Sequence, residues 1–115
     1  MGIVIMVIIF VKVKMTSVIR FMCYYNGEIK TRENGAFYDG DFSKLIRLST
    51  VANYEQLIDV ICNRFNLNRV TQQLKVFYRY LSEQQGGETH YHLSEISDDT
   101  DVDMFIDFCK YLQSV

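Results

Sequence analysis

The sequence predicts an α+β domain in which a four-stranded mixed sheet carries two helices on one face. Three observations predict it. Asn53 to Phe65 and Val102 to Leu112 space their apolar residues three and four apart, as a buried stripe along a helix requires. Val18 to Tyr25 and Leu74 to Leu81 alternate in steps of two, as half-buried strands do. The resulting order, strand, strand, helix, strand, strand, helix, suits one sheet covered on one side.

A chain of 115 residues supplies one modest core and one domain. With 49% hydrophobic and 14% aromatic residues it folds rather than staying disordered. A net charge of −2 does not suggest a general nucleic-acid binder, whose affinity rests on excess Lys and Arg. The total hides an asymmetry. From His90 onward six acids face Lys110 alone, giving −5, while the preceding part sets eight acids against eleven bases, giving +3. Cys23, Cys62 and Cys109 are odd in number, far apart and set in apolar patterns. That fits reduced, buried thiols in a cytosolic or nuclear protein better than a disulfide frame or a zinc site.

Taken in order, Ile3 to Val11 is an unbroken apolar run followed by Lys12 and Lys14. It falls short of the roughly 20 apolar residues a membrane span needs, and a secretory signal would place its bases first. Its β-branched content favours a strand. The domain proper is expected to start at Met15, with residues 1–14 an extension outside the fold. Val18 to Tyr25 is the first strand of the domain, and Asn26-Gly27 marks a turn after it. The hairpin partner is Lys44 to Thr50, and Asn34-Gly35 and Asp39-Gly40-Asp41 are further turn signals in the long segment between. Asn53 with Gln56 reads as a capping box ahead of the stripe Tyr54, Leu57, Ile58, Ile61, Cys62 and Phe65. Leu74 to Leu81 is a strand, Ser82 to Glu88 a polar loop and Thr89 to Ile96 a returning strand. The last helix follows the acids at 98–103, which suit its positive N-terminal end. This order is the β-grasp, or ubiquitin-like, arrangement.

The motifs CYYNGEI from Cys23, VFYRY from Val76 and EISDDTDVDMF from Glu95 resemble the N-terminal domain of plant Mutator-like (MuDR) transposases and proteins derived from them. That domain is itself similar to the ubiquitin-like Phox/Bem interaction module. The resemblance runs from about Val18 to Leu112. It implies a ubiquitin-like domain over residues 15–115, nuclear placement and non-catalytic protein interaction. It also implies a transposase-derived fragment lacking the catalytic and zinc-knuckle regions of longer relatives. Two features depart from the Phox/Bem pattern. Met22 and Arg20 stand where a first-strand lysine is usual, and SEQQGGE replaces a dense acidic turn.

Two surfaces are candidates for that interaction. Asp98, Asp99, Asp101 and Asp103 form an acidic end, with helix capping as the ordinary role of such residues. Lys75, Phe77 and Arg79 form a basic and aromatic row on one face of their strand, fit to dock an acidic partner. The two ends would also permit weak self-association through opposite charges. A runner-up use of the row is nucleic-acid binding with Arg64 and Arg69. His90 and His92 lack the further ligands of a metal site, and the acids lack a calcium loop's glycine and distal glutamate. No nucleophile triad or phosphate loop is present in the sequence. The expectation is therefore no catalysis, no cofactor, no metal and no membrane.

Overall fold

The computed structural model describes residues 2–10, 17–33, 35–83 and 89–113. The chain is α+β, with strands β1 (Gly2–Phe10), β2 (Val18–Arg32) and β3 (Gly35–Ser49), helix α1 (Tyr54–Phe65), strands β4 (Gln72–Glu83) and β5 (Thr89–Ile96), and helix α2 (Asp99–Gln113). From Val18 onward this is the expected order. Lys12, Lys14, Met15 and most of the polar loop, residues 84–88, lie outside the described residues.

The expectation fails at the N-terminus. β1 is the central strand, antiparallel to β2 from Met6↔Tyr25 to Phe10↔Phe21 and parallel to β4 from Gly2↔Gln72 to Ile8↔Tyr78. Ile8 is fully buried in the core. Nine apolar and β-branched residues are too few to span a bilayer, but they satisfy a strand with neighbours on both sides. Among the described residues the sheet thus has five strands, as an antiparallel set β3-β2-β1 joined through β1 to the antiparallel pair β4-β5.

The hairpin also differs. Its register is continuous from Val18↔Ser49 to Arg32↔Gly35, so neither Asn26-Gly27 nor Asp39-Gly40-Asp41 reverses the chain. These turn signals face each other instead, Gly27 opposite Gly40, and the pairing runs on to Arg32 opposite Gly35. Paired glycines let the ribbon bend and twist, and beyond Tyr25 it leaves β1 behind. Its tip crosses to β5 through a single bridge, Gly35↔Tyr91. This bridge does not make a barrel. Following the pairings round the sheet, β3 and β5 would have to run antiparallel to close a ring, whereas the bridge is parallel. It is a twisted tip resting on an edge strand.

Both helices lie on one face. Leu57, Ile58, Ile61 and Cys62 of α1 and Val102, Phe105, Ile106 and Cys109 of α2 join Ile8, Ile19, Phe21, Cys23, Ile46, Leu48, Val76 and Ile96 of the sheet in one core. Phe105 is central to it, edge-on to Phe21 at 5.5 Å and 5.3 Å from the ring of Tyr78. Burial pushes the thiols of Cys23 and Cys109 up to about 12, which leaves them neutral packing groups at ordinary pH. Asn53 caps α1 as the sequence indicates, its side chain accepting from Gln56 N–H while Gln56 Oε1 accepts from Asn53 N–H, both at 2.9 Å.

Two predictions follow the topology. A chain beginning at Met15 should lose its cooperative thermal transition, because β2 and β4 then have no strand between them; melting close to that of the full chain would show β1 to be dispensable. Gly35 has φ of +110°, and a Cβ there would overlap the Tyr91 carbonyl oxygen and lie 2.7 Å from the Tyr91 nitrogen. Gly35→Ala should therefore cost roughly 1–3 kcal/mol in urea denaturation of the full chain.

Candidate functional site

The acidic end is built into the helix starts. Asp98 Oδ1 accepts from the N–H of Asp101 at 2.9 Å and so caps α2. Asp101 Oδ2 reaches back to Ser97, accepting from its N–H at 2.9 Å and from its hydroxyl at 3.0 Å. Asp99 serves the other helix: its Oδ1 accepts from Tyr54 N–H at 2.9 Å, an orphan donor in the first turn of α1. Three of the four acids are therefore joining and capping groups. Asp103 is exposed on the outer side of α2, and Asp107 follows one turn later, also exposed. What remains of the acidic end for a partner is that pair.

The row on β4 is placed as its alternation indicates. Val76 and Tyr78 face the helices, with Tyr78 5.6 Å from the ring of Phe108, while Lys75, Phe77 and Arg79 lie on the opposite face. Lys75 is exposed and Phe77 and Arg79 are half-buried. The guanidinium of Arg79 lies over Tyr91, its Cζ 3.6 Å from the ring centroid. Its Nε is buried with no hydrogen-bond partner among the described residues. Stacking holds this fork in one orientation, which favours planar acceptors such as carboxylates.

The same uncovered face continues across β2 and β3. Registers set Arg20 opposite Arg47 and Met22 opposite Leu45 there, while Phe77 faces Glu95 of β5. Arg20, Arg47, Lys75 and Arg79 thus share a face with Glu95, among Met22, Tyr24, Leu45 and Leu93, and the same register puts Glu28 and Asp39 on that face farther along the ribbon, Asp39 paired with Lys30 at 2.9 Å. Leu45 is 41% exposed. Because both helices pack on the other side, no described helix covers this surface.

Arg64 and Arg69 are not part of it. Arg64 sits at the end of α1, donating from Nε to the Leu45 carbonyl at 3.2 Å. Arg69 is clamped by Glu55 at 2.8 Å and Asp59 at 2.7 Å. These carboxylates hold its guanidinium pKa above the ordinary value, and they neutralise it toward an outside phosphate. The spacing of Glu55 and Asp59, one helical turn apart, is the sequence signal that could have foretold the clamp. Beside it, Tyr54, Ile58, Arg69, Val70 and Gln72 to Leu74 line an open cleft of about 300 Å³.

His90 and His92 lie on the helix-facing side of β5. Their ring centroids are 4.8 Å apart, and His92 stacks on Tyr80 at 5.2 Å. No group of three or more metal-ligating side chains occurs among the described residues. No described helix is long and apolar enough to cross a membrane.

No family model, no curated protein and no solved structure matches the chain. The candidate surfaces therefore stand on their own chemistry.

Asp99 and Asp103 separate capping from charge. Asp99→Ala should lower the stability of the full chain by about 1 kcal/mol through the lost acceptor at α1. Asp103→Ala should change it by less than about 0.5 kcal/mol. Urea denaturation of both variants measures the contrast; equal losses would mean that the bond from Asp99 to Tyr54 contributes nothing.

Proposed function

We propose that this chain is a non-catalytic protein-interaction domain that docks an acidic partner on its uncovered sheet face. The observation that carries this reading is the composition of that face. Arg20, Arg47, Lys75 and Arg79 lie among partly exposed apolar side chains with Glu95, while Glu28 and Asp39 lie farther along the ribbon, Asp39 already paired with Lys30. Phe77, Met22 and Leu45 offer the apolar contact without which exposed ion pairs, at roughly 0–1 kcal/mol each, would bind weakly.

The element order from Val18 to Gln113 supports a β-grasp reading, and with the three sequence motifs it supports descent from the N-terminal domain of plant Mutator-like transposases. The central place of β1 is an addition to that pattern. A nuclear or cytoplasmic setting follows from this descent and from three reduced, buried cysteines. A foreign partner is favoured over a second copy, since capping leaves only Asp103 and Asp107 to meet Lys75 and Arg79. An accessory nucleic-acid-binding role is the weaker reading, because Arg64 and Arg69 are engaged away from the row.

Amide shifts of the full chain, titrated at low salt with an acidic amphipathic peptide and separately with duplex DNA, test the choice. The peptide should shift the amides of Lys75 to Arg79, and Lys75→Glu with Arg79→Glu should weaken it roughly tenfold. Salt-sensitive binding of DNA at the same amides, without binding of the peptide, would reverse the assignment.

A further inference from the structure

The sheet ends at β3, and its outer edge is unusual in charge. Thr50 N–H donates to the Ser17 carbonyl at 3.0 Å, continuing the register in which Val18 faces Ser49. Pairs with an even-numbered β3 residue are therefore the hydrogen-bonded ones of this antiparallel ladder. Ser43, Leu45 and Arg47 accordingly turn their N–H and C=O groups away from β2. Arg64 marks the direction, reaching the Leu45 carbonyl from outside the ladder. Among the described residues nothing pairs with the outward groups of Ser43 and Arg47 or with the N–H of Leu45.

The side chains round this edge are cationic. Arg20 and Arg47 lie on the uncovered face, while Lys44 and Arg64 lie on the helix side, with Lys44 Nζ donating to the Arg64 carbonyl at 3.1 Å. No acid occurs between Phe42 and Thr50. The acids of α1, Glu55 and Asp59, are held by Arg69 on the helix's other flank. Val60, half-buried and one turn before Arg64, offers an apolar spot on the flank that faces β3.

We infer that the β3 edge from Ser43 to Ser49 accepts an extended acidic segment of another protein as an added strand. Main-chain groups of Ser43, Leu45 and Arg47 supply the hydrogen bonds. Residues of the guest on one side meet Val60, and its acids meet Arg20, Lys44, Arg47 and Arg64. A second copy is a poor occupant, because pairing two β3 edges would set these cations against one another. A basic edge also resists self-pairing in general, so it stays open to an acidic strand while resisting aggregation. The inference shares Arg20 and Arg47 with the sheet-face reading but is carried by main-chain groups of β3 that this reading does not use, and does not rest on it.

Selection of a displayed random peptide library on the full chain tests it, followed by amide-shift mapping of the enriched peptides. The expected peptides are rich in Asp, Glu and β-branched residues, poor in proline, and shift the amides of residues 43–49. Leu45→Pro removes an outward N–H that the ladder does not use, and should weaken them roughly tenfold or more. Arg47→Glu leaves the backbone intact and should weaken them too, so together with the amide shifts at residues 43–49 it tests the inference if Leu45→Pro fails to fold. No enrichment, or peptides that bind Arg47→Glu as tightly as the parent, would overturn the inference. Shifts confined to Lys75 to Arg79 would also overturn it while upholding the sheet-face reading.

Discussion

Everything in this fold depends on one strand having neighbours on both sides. β1 is the ladder between two antiparallel pieces that otherwise touch through a single bridge, Gly35↔Tyr91. From Met6 to Ile8 its backbone pairs with β2 on one side and β4 on the other, so the middle of an apolar segment can lie inside the protein without stranding polar atoms. Ile8, facing Cys23 and Tyr78, then brings β2 and β4 to the same apolar layer. The helices can close that layer only because these two strands are held in one plane.

The second constraint is the junction of helix starts. Asp98, Asp99 and Asp101 sit within one turn, yet each satisfies a different group: the first turn of α2, the first turn of α1, and the connection from β5. A carboxylate at a helix N-terminus interacts with both the orphan N–H groups and the helix dipole, and here one acid crosses between helices to do so. Such a junction fixes the position of α1 against α2 without covering the opposite sheet face. Concentrating the acids on the helix side leaves the bases of β2, β3 and β4 to set the charge of the uncovered face and of the β3 edge. That separation is what makes an acidic partner the natural match for both surfaces, one through side chains and the other through main-chain groups.

The helices and their order were legible in the sequence because their signals are local. The Asn53 and Gln56 box, the stripe ending at Phe65 and the stripe through Val102, Phe105, Ile106 and Cys109 each depend on residues a turn or less apart. Alternation likewise placed Lys75, Phe77 and Arg79 on one face, since the period of a strand is two. Local signals misled where two of them answered each other. Gly27 and Gly40 each mark a turn alone, but in register they cancel as turns and become a bend in one long ribbon.

What only the tertiary structure decided concerns partners far apart in the chain. Whether Gly2 to Phe10 is a strand or an appendage depends on whether β2 and β4 each present an unpaired edge to it, which nothing within the segment encodes. The fate of Asp99 rests on Tyr54, 45 residues away, and that of Arg64 on the Leu45 carbonyl, 19 residues away. Composition and spacing determine which residues are able to cap, pair or stack. Chain packing determines which partner they meet, because a hydrogen bond needs its two atoms within about 3 Å, a distance that periodicity sets inside an element and only folding sets between elements.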